Sequence, residues 1–148
     1  MDEEPNEDWL TTRVLVCGDR NWTDQRVIGT VLNGLLEEAM LNFGWLVVID
    51  GCARGADSFA CHFFDGNDPD HPCVTERGGV HAGHTHVKHE HYPADWDQYG
   101  RSAGPIRNQH MLEQGKPDLV IAFPGGRGTS DMMTRARSAG IPVMQVTP

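Results

Sequence analysis

The sequence predicts an α/β fold, a three-layer sandwich in which a mainly parallel sheet of about five strands is covered by helices on both sides. Three segments of strand length, 13–17, 45–50 and 119–123, are almost continuously apolar, as is typical of strands buried on both faces. Each of them runs into a glycine-containing loop and then into a helical pattern. Strands that alternate with helices in this way lie parallel in one sheet.

The first helix has the clearest periodicity in the chain. Thr23 or Asp24 is placed to cap its start. Apolar residues then recur at intervals of three and four, which predicts that one face of the helix is buried. These residues are Val27, Ile28, Val31, Leu32, Leu35, Leu36, Ala39, Met40 and Phe43.

The remaining elements complete a single domain over residues 13–148, preceded by a flexible acidic arm at 1–12. A polar, turn-rich loop insertion is predicted at 65–84. The other predicted elements are a helix from Ala56 to Phe64, a strand from Thr85 to Tyr92, a helix from Gly104 or Pro105 to Gln114, a helix from Thr129 to Ala139, and a last strand from Ile141 to Val146.

The charge of the chain restricts its partners. Twelve basic residues stand against 21 acidic ones, a net charge of −9. Proteins that bind nucleic acid by neutralising phosphates usually present a basic face, so we expect no nucleic-acid partner. The acidic start of the chain is unlike a signal peptide, and no segment reaches the roughly 20 apolar residues of a membrane span. We therefore expect a soluble, cytoplasmic protein without a membrane partner.

The segment that follows the strand at 119–123 is the strongest candidate for a ligand site. Its three glycines permit positive φ angles and allow backbone N–H groups to approach a ligand without interference from a Cβ atom. Thr129 and Ser130 are predicted to cap the next helix, whose unpaired N–H groups and positive dipole end favour a phosphate. A tight turn without a ligand is the alternative. The glycines are Gly125, Gly126 and Gly128.

Two further loops are expected to meet this segment. In an open parallel sheet the loops after the strands converge on one edge, and ligands bind where the strand order reverses. We therefore expect the loops near residues 18, 51 and 125 to form one crevice. The site residues predicted from these loops and from the helix before the last glycine loop are Gly18, Arg20, Gly51, Gly55, Asp57, Arg107 and Asn108.

Arginines in or beside these loops indicate an anionic ligand, because a planar guanidinium matches phosphate oxygens. Arg107 is the preferred contact for a phosphate or ribose. For Arg54 and Arg127, pairing with a nearby aspartate is the competing interpretation. Asn108 could contact a ribose hydroxyl or a base edge, or stabilise its own turn.

The histidines and aromatic residues of the middle segment have two interpretations each. Six of the eight histidines lie between His71 and His91, together with Cys73, but without the spacing of a defined metal motif. We predict no metal site here, and histidines that are solvated or on an edge strand. Trp96 and Tyr99 could stack on a base, and Trp96 could equally pack against the sheet.

Four motifs occur in a particular order along the chain: Cys17-Gly-Asp-Arg20, Gly51-Cys-Ala-Arg-Gly-Ala-Asp57, Pro93-Ala-Asp-Trp96 with Gly104-Pro-Ile-Arg-Asn108, and Pro124-Gly-Gly-Arg-Gly-Thr129. Together they resemble the YspA-like (DUF2493-type) branch of the SLOG superfamily, a Rossmann-like group that includes the LOG phosphoribohydrolases and the DprA DNA-processing proteins. The resemblance covers about residues 13 to 147. It implies a nucleotide-derived ligand and no required cofactor, and it is compatible with a homodimer.

The resemblance also implies a reaction. LOG enzymes hydrolyse the N-glycosidic bond of nucleoside 5′-monophosphates with a PGGxGTxxE loop and an upstream arginine, which Arg107 matches here. Met132 occupies the position of the glutamate. Because glycosidic cleavage requires a carboxylate near the developing ribosyl cation, Asp131 and Arg107 become the catalytic candidates, with Asp19 and Asp57 as alternatives. In the first turn of a helix, a carboxylate is also favoured by the dipole alone.

Three functions follow, in order of preference. The first is a sensor or ligand-capturing module for a nucleoside phosphate or an ADP-ribose-like nucleotide. The second is a nucleoside monophosphate N-glycosidase, which the methionine at 132 disfavours. The third is a DprA-like single-stranded DNA binder, which the acidic charge disfavours.

Overall fold

The computed structural model describes residues 11–18, 25–41, 44–51, 79–84 and 87–146. The acidic residues 1–10, the helix predicted at 56–64 and residues 65–78 of the predicted insertion lie outside these residues. The described elements are β1 (Thr11–Cys17), α1 (Gln25–Leu41), β2 (Trp45–Asp50), β3 (Gly79–His84), β4 (Val87–His91), α2 (Trp96–Tyr99), a 3-10 turn (Gly100–Ser102), α3 (Ala103–Gly115), β5 (Leu119–Ala122), α4 (Arg127–Ser138) and β6 (Val143–Gln145).

The described strands form one six-stranded sheet in the order β3-β4-β2-β1-β5-β6. Four of the described strand pairs are parallel: β4–β2, β2–β1, β1–β5 and β5–β6. The pair β3–β4 is antiparallel. The predicted mainly parallel sheet is confirmed. From β1 in the middle, the chain first builds outward through β2 and β4 and later continues on the other side through β5 and β6. The strand order therefore reverses between β1 and β5.

Two apolar cores make the molecule a three-layer sandwich. On one face of the sheet, Val14, Val16 and Val48 pack with the predicted apolar face of α1, of which Ile28 and Leu32 are fully buried. The period-three-and-four pattern is thus confirmed for the described part of this helix, and its burial removes the apolar stripe from water. The predicted cap residues Thr23 and Asp24, and Phe43, lie outside the described residues. The other face of the sheet packs against α3 and α4 and forms the second core, which consists of Leu15, Cys17, Val47, Ile49, Met111, Leu112, Val120, Ala122, Met132 and Ala136.

A polar cluster joins three elements at the side of the second core. Arg13 donates from Nη2 to both carboxylate oxygens of Glu90, at 2.6 Å each, and from Nε to the carbonyl oxygen of Gly115, also at 2.6 Å. The Tyr92 hydroxyl donates to Glu90 Oε1 at 3.0 Å. Burial, the Glu90 charge and this hydrogen bond raise the pKa of Tyr92 to about 12. The cluster ties β1 and β4 to the end of α3.

The boundaries of several elements differ from the sequence predictions. β1 begins at Thr11 rather than Arg13, and the last strand is limited to Val143–Gln145. Residues 79–84, predicted as part of a loop, form β3. Their glycines and histidines do not alternate between apolar and polar residues, so the sequence gives no strand pattern, and the strand is recognised by its backbone pairing with a neighbour. Here that neighbour is β4.

The described helices include none with the length and apolar character that a bilayer-spanning helix requires.

Candidate ligand site at the carboxyl edge of the sheet

The reversal of strand order places two predicted loops side by side. Gly18 follows β1, and Pro124 and Gly125 follow β5. The two strand ends are joined by a hydrogen bond of 2.9 Å from the N–H of Phe123 to the carbonyl oxygen of Cys17. Gly18 and the 125–128 loop thus leave the sheet at neighbouring positions, where a crevice is expected in open α/β sheets.

The start of α4 is exposed and has no side-chain cap. Gly126 is the N-cap residue, and its carbonyl oxygen accepts from the N–H of Ser130 at 3.0 Å. The N–H groups of residues 127, 128 and 129 make no hydrogen bond to another described residue. A Cβ atom on Gly126 or Gly128 would meet no other atom within 4 Å. Space for an anion is therefore open at these amides.

The backbone of this loop does not use the positive φ angles that its glycines permit, and the predicted cap of the following helix is wrong. Among the described glycines only Gly100 and Gly140 have positive φ angles, and Gly126 has a φ of −94°. The loop glycines therefore matter for access rather than for left-handed backbone. Thr129 and Ser130 do not cap the helix, because it begins at Arg127 and includes both. Thr129 is instead buried, at 6% exposure.

Arg107 lies at the same edge of the sheet. Its Nη1 donates to the carbonyl oxygen of Gly51 at 2.8 Å, and its Nε donates to Asn108 Oδ1 at 3.0 Å. Nη2 has no hydrogen-bond partner among the described residues, and the side chain is partly exposed. A Cβ atom on Gly51 would collide with Nη1 and lie 2.8 Å from Cζ. The missing side chain at position 51 thus makes room for the guanidinium.

Asn108 links α3 to the first turn of α4. Its Nδ2 donates to the carbonyl oxygen of Gly128 at 3.2 Å and to Asp131 Oδ2 at 3.0 Å, and the residue is 3% exposed. The amide therefore neither stabilises only its own turn nor faces an open ligand space. Instead, it fixes the start of α4 relative to Arg107.

Met132, at the glutamate position of the LOG pattern, and the preceding residue Asp131 have different surroundings. Met132 is 1% exposed and packs in the second core, so its side chain is directed away from the loop. Asp131 is partly exposed, and its Oδ2 accepts from Asn108 and, at 2.8 Å, from Arg135 Nε. Successive side chains on a helix point about 100° apart, so Asp131 and Met132 face different directions. A carboxylate is thus present near the site, but it is held by two neighbours.

A buried histidine–aspartate pair lies at the ends of β2 and β4. His91 Nδ1 is 2.9 Å from Asp50 Oδ2, and both side chains are fully buried. The rings of His91 and His89 are nearly parallel, with centroids 6.1 Å apart. The prediction of solvated or edge-strand histidines is wrong for these two, because β3 covers the side of β4 that would otherwise be the edge.

In the sequence, the only indication of this pair is that His89 and His91 are two residues apart, which places both side chains on the same face of a strand. This spacing does not show that another strand lies beside β4. The described residues contain no group of three or more side chains suited to hold a metal ion.

The aromatic residues of α2 are exposed. Trp96 and Tyr99 are 53% and 42% exposed, and Trp96 lies over Gly104 at the start of α3. Neither is part of the sheet packing. The predicted site residues Arg20, Gly55 and Asp57 lie outside the described residues, as do Asp19, Arg54, His71 and Cys73.

The fold and this edge define a Rossmann-like α/β protein with an open glycine loop at its topological switch point. Over 134 residues the chain is 37% identical to the Gene 61 protein of Mycobacterium phage D29, a match that covers 89% of this chain and 94% of the phage protein. The chain belongs to the family of that phage protein. No protein-family model and no solved structure matches it.

Proposed function

We propose that this protein binds a nucleoside phosphate, or an ADP-ribose-like nucleotide, as a sensor or ligand-capturing module. The observation that carries the proposal is the start of α4, where uncapped N–H groups open onto the switch point between β1 and β5. Such a helix start supplies both hydrogen-bond donors and a positive dipole end to a phosphate. The resemblance to the SLOG superfamily supports a nucleotide as the carrier of that phosphate.

Arg107 contributes the second phosphate contact in this proposal. Its Nε and Nη1 are engaged with Asn108 and Gly51, which fixes the plane of the guanidinium, while Nη2, which has no partner in the described part of the chain, donates to an oxygen of the ligand. A guanidinium that is already oriented loses less side-chain entropy on binding. The nucleotide therefore lies between Arg107 and the 125–128 loop.

Titration calorimetry with adenosine 5′-monophosphate and with ADP-ribose tests the proposal. Arg107→Gln is expected to weaken binding of both by about tenfold or more, the value of a hydrogen bond to a charged group. Arg137→Gln is the matched control, because Arg137 is an exposed arginine in the last turn of α4. Absence of binding to the unmodified protein, together with absence of any nucleotide among small molecules released from it, would refute the proposal.

An N-glycosidase is the second candidate, and the position of Asp131 favours it. This carboxylate lies on the first turns of α4 next to the loop, within hydrogen-bond distance of Asn108. If the protein is an enzyme, nucleoside monophosphates are cleaved to the free base and ribose 5-phosphate, and Asp131→Asn abolishes the release of base. Binding of the monophosphate without release of base would assign the site to ligand capture alone.

A further inference from the structure

A second open space, with arginine side chains and an apolar wall, lies beside the two helices that carry the site. The cleft between the start of α3 and the last turn of α4 has a volume of about 410 Å³. It is lined by Arg101, Ser102, Pro105, Ile106, Gln109 and Arg135. Two of these residues, Arg101 and Arg135, are arginines. They place positive charge in one cleft of a chain whose net charge is −9.

The hydrogen bonds around the cleft leave one of its two arginines without a charged partner among the described residues. Arg135 donates from Nε to Asp131 and from Nη1 to Gln109 Oε1, at 2.8 and 2.9 Å, and its Nη2 makes no hydrogen bond with another described residue. Arg101 is exposed and makes no hydrogen bond or ion pair with another described residue. Gln109 in turn donates from Nε2 to Glu113 Oε1, a hydrogen bond from a neutral amide that leaves the charge of that carboxylate in place. The described charges around the cleft are thus two guanidinium groups, of which only that of Arg135 is paired with Asp131, and the Glu113 carboxylate one helical turn from Gln109.

The cleft is connected to the candidate ligand site by a line of polar contacts. Gly128, Asp131 and Arg135 follow one another at intervals of three and four on one face of α4, which corresponds to about 10 Å along the helix. Asn108 contacts the first two of these residues, and Asp131 contacts the third. The cleft therefore begins within the reach of a ligand somewhat larger than a mononucleotide.

We propose that the α3–α4 cleft binds a second oxyanion, a phosphate or carboxylate group, through Arg101 and Arg135. Ser102 and Gln109 offer further hydrogen bonds, and Pro105 and Ile106 form an apolar wall. The oxyanion belongs either to the distal end of the nucleotide or to a separate small anion. Only the first of these sources rests on the proposed function.

Nuclear magnetic resonance can test the cleft in the absence of a nucleotide, because the Nε–H signal of an arginine shifts when an anion binds to its guanidinium. Inorganic phosphate is titrated into the full chain at constant ionic strength, with chloride as the reference anion. The Arg135 signal is expected to shift to saturation, and Arg101→Gln should weaken the apparent affinity about fivefold while Arg137→Gln leaves it unchanged. A shift no larger than with chloride, or one that Arg101→Gln does not alter, would overturn the proposal.

Parallel titrations identify the source of the oxyanion. If it is the distal end of the nucleotide, Arg101→Gln weakens ADP-ribose binding about tenfold and leaves adenosine 5′-monophosphate unaffected. If it is a separate anion, both nucleotides are unaffected while phosphate binding is weakened. A nucleotide that fails to shift the Gly128 amide would refute the proposed function but not the cleft, and a silent Arg135 signal would refute the cleft alone.

Discussion

Gly51 positions the long side chain of Arg107 because glycine has no side chain of its own. Gly51 immediately follows β2, and its carbonyl oxygen receives Nη1 of Arg107 from α3. The space that a Cβ atom would take at position 51 is filled by the guanidinium. Glycine is therefore required at position 51 by the close approach of the Arg107 guanidinium and not by a positive φ angle.

Gly51→Ala is expected to displace the Arg107 guanidinium and to weaken nucleotide binding about tenfold, because the Cβ atom and Nη1 cannot occupy the same space. Calorimetric affinity for adenosine 5′-monophosphate measures the effect. Gly34→Ala is the matched control: position 34 lies in α1, a Cβ there meets no atom within 4 Å, and the change should stabilise the helix by about 0.5–1 kcal/mol. An unchanged affinity in Gly51→Ala would contradict the positioning of Arg107 by this contact.

At the scale of elements, β4 shows how a strand neighbour changes the surroundings of polar residues. β4 lies between β2 and β3, and His89 and His91 lie opposite Val48 and Asp50 in the parallel pairing. With both edges of β4 paired, the two histidines are buried and His91 contacts a buried carboxylate. A buried pair of this kind is costly to break from one side, since the remaining polar group keeps its desolvation penalty.

His91→Leu is expected to lower the free energy of unfolding by about 3 kcal/mol, because Asp50 stays buried without this partner. Adding Asp50→Leu should cost less than the sum of the two single changes, with a coupling above about 1 kcal/mol in chemical denaturation. Combining His91→Leu with Asp118→Asn, at the opposite end of the sheet, should be additive. Additivity of the first pair would show that the two buried residues are independent.

At the scale of the whole molecule, the cluster of Arg13, Glu90 and Tyr92 connects two strands and the end of α3. The pKa of Tyr92 is raised from 10.0 to about 12 in the folded protein. Between these values an unfolded tyrosine loses its proton while the folded one retains it, so the unfolded state binds fewer protons and stability falls as pH rises. The contribution is complete below pH 10 and is lost as pH passes through about 12.

Alkaline denaturation tests this linkage. The free energy of unfolding of the unmodified chain should decrease between pH 10 and about 12, and Tyr92→Phe should decrease it less steeply over the same interval. At neutral pH, Tyr92→Phe should cost about 1 kcal/mol through loss of the hydrogen bond to Glu90. Tyr99→Phe, at an exposed position in α2, serves as the control. Parallel pH profiles of Tyr92→Phe and the unmodified chain would contradict the raised pKa.

Local sequence patterns were sufficient to predict those elements whose burial depends on their own apolar side chains. The apolar runs of β1, β2 and β5 and the helical stripe of α1 bury the same residues in any sheet of this class, so they could be predicted from the sequence. The convergence of Gly18, Gly51 and the 125–128 loop also follows, because parallel strands present their carboxyl ends at one edge.

Only the tertiary structure decided the rest, because those features depend on a partner from elsewhere in the chain. Asn108 is engaged by the first turn of α4, and Asp131 by Arg135 and α3 rather than by the dipole alone. The pairing of residues 79–84 with β4 buries His91 against Asp50. The sequence by itself determined the layers of this protein and the edge at which its loops meet. Contacts between residues far apart in the chain determined which polar groups at that edge are paired and which remain open to a ligand, since pairing is a property of two surfaces and not of either segment alone.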